Sequence, residues 1–174
     1  MKRSQLTDMP EYFDRYINKC EDVELIEAIN TSISELEKIP LDKWKSIGTK
    51  VYAPGKWTIS DILQHIIDTE RIFNYRVLAY SRDEQQSVPS FDEDSYAVAA
   101  IGKNRTLESL LNELKIVHQS TKALYESFTP TMLDKMCIGF KGKYSVAAAG
   151  FMIPGHQRWH FSTIEERYLP LLKQ

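Results

Sequence analysis

Apolar residues recur at helical spacing in four long segments of the chain, and these segments predict four helices. The first runs from about Pro10 to Ile39 and is expected to break near "CEDVE". Pro40 then ends it, because the residue before a proline avoids the helical conformation. One buried stripe at three-and-four spacing marks this segment: Leu25, Ile26, Ile29, Ile33 and Leu36.

The second predicted helix starts at "TISD", where Thr58 is a helix-capping residue and Asp61 occupies the third helical position. Its apolar positions continue to about Ser81. His65 lies three residues after Ile62, so the helical period places it along or beside the apolar face.

The third predicted helix follows Thr106 and carries a regular apolar seam, with His118 beside that seam. The last helix is predicted to begin after Ser145 and to run almost to the end of the chain. Pro154 interrupts this last segment, and its ring would crowd the carbonyl of Gly150. A kink is therefore expected just before the histidine pair.

The connections differ in length and polarity. The acidic stretch between the second and third helices is too long for a hairpin and predicts a crossover with a short helix near Asp92 to Ala100. The segments around "LDKWKSIGTKVYAPGKW" and "TPTMLDKMCIGFKGKY" are interpreted as loops, since neither alternates cleanly enough to require a β-strand. The predicted fold is an all-α four-helix bundle with a long crossover connection, forming one domain over residues 1–174.

Composition narrows the function classes. The chain has 174 residues, 43% hydrophobic and 26% charged, with a net charge of −2, which is typical of a soluble globular protein and gives no general attraction to nucleic acid. No apolar run approaches the roughly 20 residues of a membrane span, and the first residues lack the apolar stretch of a secretory signal, so a cytoplasmic location is expected. Cys20 and Cys137 are far apart and predict neither a disulfide framework nor a thiolate metal site, with Cys20 expected to be buried.

The stretch "GHQRWH" carries the candidate chemistry. His156 and His160 are four residues apart and share a helical face, so both can offer an imidazole nitrogen to one ion. His65 is the third candidate ligand, from a different helix, and three imidazoles with an open position are a common arrangement for catalytic metals. The spacing alone leaves a second interpretation open, namely ordinary hydrogen-bonded helical histidines. A zincin protease is disfavoured, because Gln157 stands where H-E-x-x-H needs a glutamate base.

Other polar and aromatic residues have mainly structural interpretations. His118 is interpreted as a hydrogen-bonded boundary residue, with a base or a fourth metal ligand as the alternative. Glu70 lies about 140° around the helix from His65 and is expected to be solvated or paired with residues near Arg71. Trp57 is expected to pack at the start of the second helix. The remaining candidates lie in the crossover. Asp92, Glu93 and Asp94 are interpreted as exposed charges or as part of a site mouth, and Tyr96 as a residue that could pack over a cavity.

Three sequence stretches resemble the DinB-like superfamily, in particular its YfiT-like metal-dependent hydrolase branch. They are W-T-x6-H at the start of the second helix, P-x-F-D-E-D-x-Y-A after it, and G-H-x-x-x-H with a trailing E-R-Y-L. The resemblance covers most of residues 20–172. It implies a four-helix bundle with a long crossover and a divalent metal, zinc or nickel, held by His65, His156 and His160. The chain departs from many relatives at Arg158 and Trp159, where a further histidine often stands.

The resemblance also implies the possible activities. Some relatives are thiol-dependent transferases that use low-molecular-weight thiols such as bacillithiol or mycothiol. A bound cation would acidify either water or a thiol, so hydrolysis and thiol S-transfer of a small-molecule substrate both stay open. A noncatalytic, stress-linked bundle that binds a metal or a small ligand is the alternative, and a purely structural bundle is a third. A homodimer is compatible with the predicted bundle, although no residue identifies its interface.

Overall fold

The computed structural model describes residues 1–139 and 142–173 and confirms the predicted all-α class. Four long helices are joined by connections that contain three shorter ones, and a fourth short helix precedes the first long helix. The long crossover follows α4 and contains α5, as the sequence predicts. The helices are α1 (Asp14–Ile17), α2 (Leu25–Glu35), α3 (Leu41–Ile47), α4 (Ile59–Ser81), α5 (Glu93–Ala100), α6 (Leu107–Glu126), α7 (Pro130–Leu133) and α8 (Val146–Thr163).

The bundle consists of α2, α4, α6 and α8. Helix α4 packs on α6 and α8, α2 packs on the same two helices, and α1 lies against α8. Helices α4, α6 and α8 begin after Thr58, Thr106 and Ser145, as predicted, and each of these side chains accepts a hydrogen bond from a backbone N–H in the first turn of its helix. These caps satisfy donors that have no partner within the helix, so the starts of α4, α6 and α8 are fixed locally.

Two segments that were interpreted as loops contain regular structure. The connector after Pro40 forms α3, whose Trp44 and Ile47 are buried. The segment after α7 forms an antiparallel hairpin of β1 (Met136–Gly139) and β2 (Gly142–Ser145). The prediction of a loop is therefore wrong for residues 136–139 and 142–144, whereas residues 140 and 141 of that stretch lie outside the described residues. The strands are too short for an alternating pattern to be recognised.

Pro154 lies within a continuous helix. Helix α8 runs from Val146 to Thr163 with Pro154 inside it, so the proline does not end the helix, and the kink expected before the histidine pair stays a prediction. The irregular turn comes later, where a π-helical segment, Ile164–Tyr168, follows α8 directly. In the part of the chain that the structure describes, no helix is long and apolar enough to cross a membrane.

The core is divided into two apolar clusters by buried polar residues. Along α4, Phe73 belongs to one cluster and Leu63 to the other. A buried polar side chain stands between the clusters on each of the four long helices. We call these residues the polar layer: Ser32 on α2, Glu70 on α4, His118 and Thr121 on α6, and Gln157 on α8.

Candidate metal centre

The three histidines predicted as ligands come together beside the polar layer. His65 lies on α4, and His156 and His160 lie one turn apart on α8. The Nε2 atom of His156 is 3.1 Å from Nε2 of His65 and 3.0 Å from Nε2 of His160. One nitrogen from each residue lies within 4.8 Å of the other two. His65 is buried, while His156 and His160 are half-buried, so the cluster is reachable from solvent.

The spacing of these nitrogens fits a divalent cation. Zinc–imidazole bonds of tetrahedral geometry place two nitrogens about 3.3 Å apart, close to the two Nε2 separations at His156. Three unprotonated nitrogens this close together repel one another. A shared proton or a bound cation between them removes this repulsion. The donor set therefore fits a divalent metal with three protein ligands.

Neighbouring side chains fix the orientation of the imidazoles. The Trp57 ring packs on the His65 ring with centroids 4.7 Å apart, which confirms that Trp57 packs at the start of α4 and adds a contact with a candidate ligand. Thr69 Oγ1 lies 3.4 Å from Nδ1 of His65, a long hydrogen bond. The Tyr16 ring meets the His156 ring edge-on at 5.1 Å. These contacts leave the Nε2 atoms turned toward each other.

Burial keeps all three imidazoles neutral near pH 7. Burial lowers the pKa of His65 to about 4. Burial, with the charges of His65 and Arg15, lowers the pKa of His160 to about 3. The pKa of His156 is also far below its usual value, because of burial and because its two histidine neighbours disfavour a further positive charge. A metal needs deprotonated imidazoles, so this environment suits ligands.

Glu70 and His118 form a buried pair, and both predictions for these residues need correction. Glu70 is 3% exposed, so it is not solvated, and its carboxylate oxygens lie 2.8 and 2.9 Å from Nδ1 of His118. Thr121 donates a hydrogen bond to the same carboxylate at 2.5 Å. Burial alone lowers the pKa of His118, but Glu70 and Gln157 outweigh this and leave that pKa raised. His118 is thus fully buried instead of lying at the boundary, and it is not part of the three-histidine group.

The Glu70–His118 pair is linked to α8 through Gln157. Nε2 of His118 lies 2.6 Å from Oε1 of Gln157, which is the residue after His156. The amide nitrogen of Gln157 donates to the Ser32 carbonyl at 3.0 Å and to Glu35 at 3.1 Å. The glutamine that argues against a zincin is therefore a structural residue that joins α8 to α2 and α6. Charge spacing along the sequence gives no signal for this network, since its members come from four helices.

Helix α1 approaches α8 very closely beside His156. A Cβ atom added to Gly155 would lie 1.9 Å from the backbone oxygen of Tyr16. Only glycine allows this approach, and it holds Tyr16 against His156. On the same side, the Arg15 guanidinium lies 3.8 Å from the centre of the Tyr12 ring and 5.3 Å from that of Trp159.

Two openings lead to the histidines. A narrow cavity of about 40 Å³, which we call the inner cavity, is lined by His156 together with Tyr16, Thr69 and Glu70. A wider pocket of about 410 Å³ is lined by His160, with Trp57, Lys56 and Asp94 among its other residues.

The acidic crossover contributes unequally to these openings. Glu93 lines the inner cavity, and Asp94 lines the wider pocket at His160. Asp92 caps α5 by accepting a hydrogen bond from the backbone N–H of Ser95 at 2.7 Å. Tyr96 does not cover the histidines, because it is 48% exposed and packs on the Phe91 ring.

The cysteines play no part in the histidine site. Both are buried and unpaired, as expected for Cys20, whose thiol donates to the Phe151 carbonyl at 3.2 Å. Burial raises the pKa of Cys20 to about 11 and that of Cys137 to about 12, so neither supplies a thiolate near neutral pH.

The fold and the three-histidine cluster define a helical bundle of the kind that holds a metal between its helices, and the comparisons with known proteins agree. The chain belongs to the DinB superfamily, whose family model matches residues 6–164. It is similar to a curated protein of Oceanobacillus iheyensis, "Putative metal-dependent hydrolase OB0413", with 25% identity over 118 residues that cover 67% of this chain and 68% of the relative.

Two solved structures share the fold. YfiT from Bacillus subtilis, described as "a probable metal-dependent hydrolase with an unusual four-helix bundle topology", superposes with a TM-score of 0.67 at 18% identity over 90% of this chain and 85% of its own. A mycothiol-dependent maleylpyruvate isomerase superposes with a TM-score of 0.59 at 10% identity over 85% of this chain and 58% of its own. At these identities the likeness shows the fold alone, and it agrees with the four-helix bundle predicted from the sequence.

Proposed function

We propose that the chain is a divalent-metal-dependent enzyme that acts on a small molecule, with the metal held by His65, His156 and His160. The observation that carries this proposal is the convergence of three neutral imidazoles with Nε2 separations of 3.0 and 3.1 Å. The named function of the Oceanobacillus relative and the description of YfiT both point to metal-dependent hydrolysis. Zinc and nickel are among the metals that imidazole ligands suit.

A metal held this way supplies one kind of chemistry: it lowers the pKa of a water or a thiol at its open position and so generates a nucleophile near neutral pH. The protein residues do the rest. His65 and His156 are oriented by packing, and the aromatic side chains Trp57 and Tyr16 limit access of bulk water to the imidazoles. Glu70 lies in the wall of the inner cavity, where its carboxylate is held by His118 and Thr121.

Thiol S-transfer is the second candidate reaction, and the mycothiol-dependent isomerase of the same fold is the observation that favours it. A low-molecular-weight thiol would occupy the open position in place of water. The same three ligands serve either reaction, so the choice depends on the substrate. A noncatalytic bundle that retains a metal or small ligand is the alternative if no turnover is found.

The experiment uses untagged protein loaded with zinc or nickel. Hydrolysis is followed with p-nitrophenyl acetate, and thiol transfer with 1-chloro-2,4-dinitrobenzene and cysteine as the thiol. We expect turnover of at least one probe to fall to background in His156→Ala and to persist in Arg71→Gln, an exposed variant on α4. Equal rates in the wild type and His156→Ala would contradict a metal-dependent activity, and metal binding without turnover of either probe would favour the noncatalytic alternative.

A further inference from the structure

One stripe of α4 runs from the histidine cluster to a buried arginine. His65, Thr69, Phe73 and Arg76 follow each other at intervals of four, four and three residues, so their side chains lie on one face of the helix. The Cα atoms of His65 and Arg76 are about 16 Å apart along the helix axis, which sets the scale of the distance between the two ends of the stripe.

Arg76 is buried without a carboxylate partner. It is 5% exposed, and none of the ion pairs among the described residues includes it. Its Nη2 donates to the Pro89 carbonyl at 3.1 Å, and the guanidinium lies 5.5 Å from the centre of the Phe73 ring. Its Nε is buried and has no hydrogen-bond partner. Because burying an unpaired guanidinium is costly, this environment favours an anion supplied from outside the chain.

The space in front of Arg76 adjoins the inner cavity. Arg76 lines a pocket of about 530 Å³, which we call the outer pocket. The inner cavity is narrow, with room for roughly three water-sized groups, so it admits a thin chain of atoms. Five residues line both spaces and make them contiguous: Tyr12, Phe13, Thr69, Phe73 and Glu93.

Two carboxylates also face the outer pocket, and neither neutralises the arginine. Asp92 is held by the start of α5, where its Oδ1 accepts a hydrogen bond from Ser95 N. Glu93 stands at the junction with the inner cavity, and burial raises its pKa. Neither forms an ion pair with Arg76. Their charges repel an anion from the rest of this space, which restricts the favourable position for an anion to Arg76.

We propose that Arg76 binds the anionic end of an elongated small-molecule ligand whose other end reaches the three-histidine cluster. The part of this inference that concerns metal binding rests on the proposed function. The part that concerns anion binding rests on Arg76 and the two contiguous spaces. The ligand class is a flexible molecule with a carboxylate on the order of 10 Å from its metal-binding atom, as the separation of the two ends along α4 requires. The aromatic side chains that line both spaces, Tyr12, Phe13 and Phe73, contact the apolar middle of the ligand.

The first arm of the test uses metal-free protein. Octanoate and octan-1-ol are titrated by calorimetry into the wild type, Arg76→Gln and Arg71→Gln. We expect octanoate to bind the wild type at least tenfold more tightly than Arg76→Gln, octan-1-ol to bind both equally, and Arg71→Gln to match the wild type. Equal octanoate affinity in the wild type and Arg76→Gln would overturn the anion site.

The second arm uses cobalt-loaded protein and thiols of two lengths, followed by the sulfur-to-cobalt absorption band. The carboxylates are 8-mercaptooctanoate and 3-mercaptopropionate, and each is compared with the corresponding mercapto-alcohol. We expect the carboxylate to bind at least tenfold more tightly than the alcohol in the long pair and not in the short pair. This comparison needs only the wild type, so it decides the inference even if Arg76→Gln does not fold. No carboxylate preference at either length would overturn it.

The two arms separate the inference from the proposed function. Cobalt binding without an Arg76-dependent octanoate site would overturn the inference and leave the metal centre. An Arg76-dependent octanoate site in a protein that does not bind cobalt would support the anion site and contradict the proposed metal centre.

Discussion

Gly155 sets the distance between α1 and the helix that carries two of the candidate ligands. We expect Gly155→Ala to destabilise the protein by about 3 kcal/mol or more, since the added Cβ would meet the Tyr16 backbone, which cannot rotate away. Gly150→Ala is the matched control in α8, because its Cβ meets only side-chain atoms of Leu25 and Tyr125. Chemical denaturation of both variants measures the difference, and an equal loss would contradict this role for Gly155.

At the scale of single residues, the sequence identifies the three histidines but misses the residues that support them. Helical spacing and the motif resemblance are enough to select His65, His156 and His160 as candidate ligands, because the chain has only four histidines. Glu70 is misplaced, since a helical wheel centred on His65 takes no account of α6 packing on the other side of α4. Arg76 gives no sequence signal either, because its burial depends on the crossover folding back over α4.

At the scale of elements, the Glu70–His118 pair joins α4 to α6. We expect His118→Leu to lower the free energy of unfolding by about 3–5 kcal/mol, because it leaves the Glu70 carboxylate buried without its partner. The double variant Glu70→Leu/His118→Leu is expected to recover most of this loss. Denaturant titrations of the wild type and the single and double variants test the prediction, and a double variant as unstable as the single one would contradict it.

The same pair predicts a pH dependence. The pKa of His118 is raised above its usual 6.5 in the folded protein, because the attraction of Glu70 outweighs the opposing effect of burial. A group whose pKa is raised in the folded protein contributes its full stabilisation when the pH is below its pKa in the unfolded chain. This stabilisation is lost as the pH rises through its pKa in the folded protein.

The stability of the wild type relative to Glu70→Leu/His118→Leu should therefore be greatest below about pH 6.5 and decrease at higher pH. Thermal unfolding of the two proteins at a series of pH values measures this difference. A difference that grows with pH would show that the shift has the opposite sign.

Element boundaries are predictable where a cap and a long periodic stripe coincide. Thr58, Thr106 and Ser145 each begin a helix as predicted, because capping depends on a few adjacent residues. The hairpin and α3 are missed, since their four and seven residues are too short to show a period. Pro154 is tolerated within α8, where packing of a buried helix outweighs the local cost of one lost hydrogen bond.

At the scale of the molecule, the polar layer crosses the whole bundle between two apolar clusters. The histidine cluster lies beside this layer and connects α4 with α8. A bound metal would therefore cross-link two helices of the folded state only, and such a ligand stabilises by about 2.7 kcal/mol at one hundred times its dissociation constant. The organisation of residues 1–174 as one domain stays a prediction.

We accordingly expect zinc to raise the thermal midpoint of the wild type by roughly 5–10 °C under those conditions. His65→Ala should show no such rise. Differential scanning calorimetry with and without the metal makes the comparison, with Arg71→Gln as the control that keeps the response. A similar rise in His65→Ala would place the stabilising metal elsewhere on the protein.

The metal content of untagged protein, measured by elemental analysis after dialysis against zinc or nickel, tests the central claim most directly. Our account predicts about one ion per chain in the wild type and in Arg71→Gln, and a loss of that ion in His65→Ala, His156→Ala and His160→Ala. A wild type without metal, or variants that retain it, would contradict the account.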